Sequence, residues 1–418
     1  MSFKMFSFSL LSCIWAFMSL TILNVSGQQH QQQQQQQSTT TKQNIMKSPL
    51  SSSVDKFTLD FLKGQAKLGS EKNVLFSPLS IQVIYSLLMR GARGDTRNDI
   101  LNGLRFNSFN SHDDVYPGIE KMMGSLVKES QNMTLLINNL MAISNRSTVE
   151  SEFKETAKKY RSEISVENFS EGEKVKTKIN EWVNQTTRGK IPSILNSPLS
   201  AETVLLLLNT IYFQGTWVTP FKVERTRDMN FQNADGTNSS VPMMRLSSEL
   251  FPSYSNSEFQ MLEMPYNGNV SMIFMLPNEN INTKQVISNL SDTKLTEYIE
   301  SMKPTNFDGV SVPRFKVETQ YLLHQILPEM GMRKPFTSDA DFSGISPTKT
   351  KVDQSIHKAV IEVDEKGTVA AAVTSIRVMA VAWHPPVLFN LDRPFVFFLR
   401  DKTQSINLFA GIINKLPG

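Results

Sequence analysis

The texture of the chain changes at Gly189. Before it, apolar residues recur at helical spacing; after it, they run in blocks and alternations suited to extended chain. "VDKFTLDFLKGQAKLG" places Val54, Phe57, Phe61 and Leu62 on one helical face. Ser77-Pro78 marks a helix start, with Pro just inside it, and Gly91 and Gly94 are expected to close that helix. Lys121–Gln131, "SEFKETAKKY" and "EKVKTKINEWVNQTT" read as further helices, and "TLLINNLMAIS" as a strand. Beyond Gly189, "TVLLLLNTIYFQGTW" reads as a long buried strand. "FQMLEMPY", "VSMIFMLP", "VLFNLDRPFVFFLRD" and "SINLFAGIIN" give more strands, "DGVSVPRFKVET" gives two around Pro313, and "YLLHQILPEMGM" gives a short helix. Helices in one half and strands in the other predict an α+β fold. No repeat or internal linker follows Ser53, so residues 54–418 are expected to form one domain.

The N-terminus reads as a targeting signal. Lys4 supplies a positive start, "MFSFSLLSCIWAFMSLTILNV" an apolar middle, and Ser26-Gly27 a small-residue exit, which predicts a signal peptide over 1–27. Residues 28–53, opening with nine glutamines and one histidine, are expected to be a disordered tail. Asn132, Asn145, Asn168, Asn184, Asn238, Asn269 and Asn289 each begin an N-glycan acceptor sequence, which fits a secreted, extracellular glycoprotein. The sole cysteine, Cys13, lies inside the signal, so neither thiol catalysis nor a disulfide is expected in the mature protein. A chain of 418 residues, 40% apolar, can bury enough core to do without one. The net charge of +4 is spread thinly, with no basic stripe for nucleic acid, and no other segment is apolar enough to cross a membrane once the signal is gone.

Catalytic constellations are missing. His30, His112, His324, His357 and His384 do not pair at ligand spacing, and no HExxH, GxSxG or phosphate-cradling glycine loop occurs. Asp113-Asp114 and Asp339/Asp341 read as solvated turn or cap residues, and His357, entering "KAVIEV", as a hydrogen-bonded core residue. The chain is therefore expected not to be an enzyme, and to need no metal or cofactor.

One stretch is both strand-compatible and loop-like: "EVDEKGTVAAAVTSIRVMAVAWHPP", Glu362–Pro386. It opens acidic, pivots on Gly367, runs through small residues and stops at two prolines. On an extended chain Thr368, Ala370, Ala372, Thr374, Ile376, Val378 and Ala380 share one face, which carries no charge. Arg377 falls on the other. Such a segment could enter a sheet as an extra strand; an ordinary edge strand would show the same alternation.

"HKAVIEVDEKGTVAAAVT" resembles the hinge signature of the serpins, a family of serine protease inhibitors. "NVLFSPLSI", "LLLLNTIYFQGTW", "MLEMPY", "VPRFKVE", "MGMRKPFTSDADFSGIS" and "FNLDRPFVFFLRD" resemble further family blocks, in the family's order, over nearly all of Val54–Pro417. The resemblance implies the serpin fold, three β-sheets and about nine helices, with an exposed reactive centre loop. It implies a suicide substrate: a serine protease cuts the loop, is trapped as an acyl-enzyme, and is disabled as the loop inserts into the main sheet. The partner would be an extracellular serine protease in a covalent 1:1 complex, with the inhibitor itself a monomer. Family spacing from Glu365 places the reactive bond at Val381–Ala382. Glu365, Lys366, Gly367 and Thr368 match the hinge, and Ala370, Ala371 and Ala372 its small-residue run; Val369 departs from the acidic residue often found there. Ser77, Ser80, Asn209 and His357 match the shutter, and Trp217 the breach where insertion begins. Val381, between Ala380 and Ala382, suits an elastase-like target, whereas cleavage at Met379 or Trp383 would suggest a chymotrypsin-like one. The alternative is a non-inhibitory serpin acting as carrier, chaperone or storage protein.

Overall fold

The structure, a computed structural model, describes residues 47–67, 69, 71–109, 111–126, 133–366 and 385–418. Its described strands and helices are numbered along the chain. A five-stranded sheet runs β12 (Phe315–Leu322), β13 (Gln354–Val363), β4 (Leu205–Gly215), β2 (Met133–Ser144), β3 (Ser162–Glu167). A seven-stranded sheet runs β1 (Val74–Phe76), β16 (Ile406–Ile413), β15 (Phe395–Asp401), β9 (Val270–Pro277), β8 (Phe259–Pro265), β7 (Glu249–Ser255), β10 (Lys303–Phe307). A four-stranded sheet runs β14 (Leu388–Asn390), β11 (Gly309–Pro313), β6 (Asn238–Leu246), β5 (Arg227–Gln232).

The five-stranded sheet is covered on both faces, which explains why its strands lack clean alternation. On β4, Leu205, Leu207, Ile211 and Phe213 join the main core, where the Phe213 ring meets Phe409 of β16 at 6.3 Å. The intervening Leu206, Leu208 and Tyr212 enter a second core on the opposite face. There they pack beneath helix α6 (Gly172–Thr186), whose Val175, Ile179 and Val183 recur at helical spacing. One unbroken apolar run in the sequence thus serves two cores.

Helix α1 (Pro49–Lys67) moves the expected domain boundary. Leu50, Ser51 and Ser53, assigned above to a disordered tail, are buried. Pro49 sits in the first turn, Ser48 Oγ accepts from the Ser51 amide at 3.1 Å, and Ser53 Oγ donates to the Pro49 carbonyl at 2.9 Å. The polar letters that look like tail are helix-start residues. Helix α2 (Pro78–Gly91) begins at Ser77-Pro78 as its sequence implies, but Gly94 does not close it. Gly94, at φ +49°, opens α3 (Gly94–Gly103). Helix α4 (His112–Ser125) starts well before Lys121 because Ser111 Oγ caps the Asp113 amide at 3.0 Å. Helix α5 (Ser151–Lys159) lies where expected. Beyond Gly189, α7 (Thr283–Asn289) and α8 (Asp292–Glu300) are unexpected helices, while the short α9 (Leu323–Ile326) lies in the expected stretch. Nine α-helices and three sheets among the described residues agree with the expected fold class. No helix among them is long and apolar enough to cross a membrane.

A buried charge pair locks α1 to the seven-stranded sheet. Arg400 Nη1 of β15 reaches Asp55 Oδ1 at 3.1 Å and Asn407 Oδ1 at 3.0 Å, and Asn407 Nδ2 donates to Asp55 Oδ1 at 2.7 Å. Asp55→Ala leaves the Arg400 cation buried and uncompensated, so it should cost about 3–5 kcal/mol in denaturant unfolding. The apolar pair Asp55→Leu/Arg400→Leu should recover much of that loss; equal losses in the two variants would show that the lost ion pair is not the cause.

Candidate functional site

The seam between β13 and β4 is parallel, with Gln354 opposite Leu206 and Glu362 opposite Gln214. Here the strand leading into Glu362–Pro386 meets β4, from much earlier in the chain, while β12 flanks its other edge.

A polar row crosses the middle of the seam, beside the buried Lys358–Thr210 pair. His357 lies opposite Asn209, Asn209 opposite Asn139 on β2, and Tyr321 of β12 opposite His357. Asn209 Oδ1 accepts from Ser80 Oγ at 2.7 Å and from His357 Nδ1 at 2.5 Å, while Asn209 Nδ2 donates to Asn139 Oδ1 at 2.6 Å. His357 Nε2 accepts the Ser77 amide at 3.1 Å. These partners fix the imidazole tautomer: Nδ1 carries the hydrogen and Nε2 the lone pair. Ser77 has a second duty as cap of α2, its Oγ accepting from the Ser80 amide at 3.1 Å. The Tyr321 ring lies 10° from parallel to the imidazole. The four residues Ser77, Ser80, Asn209 and His357 are thus in one network beneath the sheet, joined by Asn139 and Tyr321, which sequence reasoning missed. Asn139 was visible as a polar interruption in "LLINNLMA".

The far end of the seam is pinned by side chains. Trp217, just past β4, is 2% exposed and stacks on Tyr266 at 3.9 Å. Its indole Nε1 donates to the Asp364 carbonyl at 3.0 Å, so it bridges the ends of β4 and β13. Gln214 Nε2 reaches Asp364 Oδ2 at 3.3 Å. Glu365 is 6% exposed; its Oε1 accepts from Thr226 Oγ1 at 2.8 Å and lies 3.5 Å from Arg314 Nη1. Lys366 is exposed, its amide donating to Asp364 Oδ1 at 2.9 Å. Burial works to raise the Glu362 carboxyl, but the Lys316 contact at 2.7 Å, the charge of Lys190 and the Tyr212 hydroxyl outweigh it and hold it low. Gly367, Thr368, Ala370, Ala371, Ala372, Val381 and Ala382 lie outside the described residues, as does Asn132. Asn145, Asn168, Asn184, Asn238, Asn269 and Asn289 are all exposed.

The family model described as Serpin (serine protease inhibitor) matches residues 52–416. The chain belongs to the serpin family. It is 32% identical over 376 residues to Iripin-2 of Ixodes ricinus, covering 88% of this chain and 94% of that one. It is also 33% identical over 370 residues to alpha-1-antiproteinase 2 of Equus caballus, covering 87% and 86%. Among solved structures, human thyroxine-binding globulin in complex with thyroxine superposes with a TM-score of 0.80 at 27% identity, covering 88% of this serpin and 99% of that chain.

Burial drives the His357 pKa from 6.5 down to about 3. A folded-state pKa below the unfolded one means that, between those values, the unfolded chain binds the extra proton. Stability is then full above pH 6.5 and falls as pH drops toward 3, by about 1.4 kcal/mol per pH unit. Denaturant unfolding at pH 6.5 and pH 5 should show a loss of about 2 kcal/mol from this group. His357→Gln should remove that component of the slope; an unaltered slope would refute a neutral, buried imidazole.

Proposed function

We propose that this serpin is a secreted suicide inhibitor of serine proteases, with Val381–Ala382 as its reactive bond. The observation that carries the reading is the parallel seam at the foot of the loop. A segment that leaves the end of β13 and folds back runs antiparallel to β13, and therefore antiparallel to β4 as well. Insertion would replace one parallel pairing by two antiparallel ones, the pattern with the better hydrogen bonds per residue. The uncharged alternation from Thr368 to Ala380 matches a strand that must be buried on entry.

In this reading the protease serine Oγ attacks the Val381 carbonyl carbon. The peptide bond to Ala382 breaks, the new amine of Ala382 leaves with a proton, and Val381 stays esterified to the protease. The freed loop enters the seam, and the protease is carried with it before water can attack the ester. Asp364, Glu365 and Trp217 mark where the seam would first part. The network of His357, Asn209, Ser77 and Ser80 would part next, as the shutter. The mature chain would begin after residue 27, carry N-glycans at the exposed acceptor asparagines, and act as a monomer in a 1:1 complex. The small side chains of Ala380, Val381 and Ala382 suit an elastase-like pocket, with a chymotrypsin-like target next. Belonging to a fold shared with thyroxine-binding globulin supports a second reading, a carrier. The absence of proline and charge on the insertable face favours inhibition.

Incubation with elastase, chymotrypsin and trypsin, followed by denaturing gels, tests the proposal. A band at the summed mass should form with elastase, and the released peptide should begin at Ala382. Chain nicked in the loop should melt well above intact chain; equal melting would sink the insertion mechanism. Thr368→Arg places a charge on the buried face and should convert trapped complex into simple cleavage. Undiminished complex in that variant would count against entry of the loop.

A further inference from the structure

The hinge Glu365 lies in a cluster of arginines larger than it can neutralise. Arg314 is its partner at 3.5 Å, and Thr226, which also bonds it, lies between Arg225 and Arg227. Strand register adds a fourth exposed guanidinium. Arg227 of β5 is opposite Met243 of β6, and Arg245 lies two residues along β6 on the same face. Arg225 reaches across the same two chain segments, its Nη1 bonding Ser247 Oγ at 2.9 Å, while Arg227 Nη1 bonds the Thr226 carbonyl at 2.8 Å. Those acceptors are neutral. Among the described residues the Arg245 side chain has no hydrogen-bond or ion-pair partner. The acidic neighbours are Asp228, which alternation turns to the opposite face of β5, and Glu224 in the preceding turn. Close like charges repel, so this edge stores a preference for an anion. Exposed apolar groups lie among the charges: Val223 at 66% and Met229 at 36%, the latter on the Arg227 face.

We propose that Arg225, Arg227 and Arg245 form a second docking surface, beside the loop, for an acidic patch on the target protease. The proposal rests on the reading of residues 367–384 as bait. Arginine interleaved with exposed aliphatic side chains is the composition of a protein interface, whereas a polyanion site needs cations alone. The surface is continuous with the start of the loop through Glu365 and Thr226, so a protease on the bait is within its reach. Charge there acts mainly on the rate of encounter and is screened by salt.

The test uses the full secreted chain, pancreatic elastase, and the same elastase succinylated to turn surface lysines into carboxylates. The association rate is read from loss of protease activity. Succinylated elastase should be trapped about tenfold faster by wild type than by Arg225→Glu/Arg227→Glu/Arg245→Glu at low salt, with the gap closing near about 0.5 M salt. Thermal melting of the variant should match wild type; if the triple change unfolds the chain, Arg245→Glu alone should give part of the same effect. Equal rates with an intact covalent band overturn the docking surface and leave the bait reading standing. No covalent band with either elastase, nor with chymotrypsin or trypsin, overturns both. Acceleration of unmodified elastase by dextran sulfate, with no gain on succinylation, overturns the proposal in favour of a polyanion.

Discussion

The hydrogen bonds joining His357 to Asn209 and Ser77, and Asn209 to Ser80, set the terms for the rest of the molecule. The strands on either side of that seam are apolar on both faces, and apolar burial rewards area with little regard for register. A buried donor or acceptor left unpaired costs about 1–3 kcal/mol, so this polar row rewards one alignment alone, His357 opposite Asn209. The row also ties the sheet to the start of α2, since Ser77 caps that helix and donates its amide to the imidazole. Parting the strands therefore disturbs a helix terminus in the same step. A seam held by area and by a few polar contacts of fixed geometry resists small openings and yields abruptly to large ones.

The ends of the seam follow a different rule. Around Glu365 the contacts are charged or amphipathic, and several are partly open to water: Arg314 is half exposed, and Lys316 more so. Ion pairs of this kind contribute little net stability. Along β13 the contacts thus run from water-tolerant at the loop end to buried at His357. A strand entering from the loop end would meet the weaker contacts first, which suits the direction demanded by the proposed mechanism.

How much of this could be read in the sequence depended on how local the signal was. The β4 run, the Ser77-Pro78 helix start and the strand pair around Pro313 were legible, because burial and proline geometry leave their mark on adjacent letters. The helices α7 and α8 were equally local, opened by Asn282 with Gln285 in a capping box and by Ser291, but strand-rich surroundings hid them. The stretch Pro49–Ser53 reads as polar tail because its serines are buried by partners far along the chain, Ser51 bonding the Ser405 carbonyl. Asn139, Tyr321, Thr226 and Arg314 carry no mark of their roles. They enter the site through strand register, which single-sequence patterns do not encode, and the matched hinge and shutter residues were found through family resemblance.

Helix α6 has a consequence for traffic into the seam. Val175, Ile179 and Val183 share one buried apolar cluster with Leu206, Leu208, Ile356 and Val360, on the face that also holds the Lys358–Thr210 pair. In the proposed mechanism, a strand entering between β13 and β4 would disturb this cluster. On the proposed mechanism, widening the sheet would first bare this cluster to solvent and then cover it again, so the pace of insertion would follow how firmly one amphipathic helix sits on its bed.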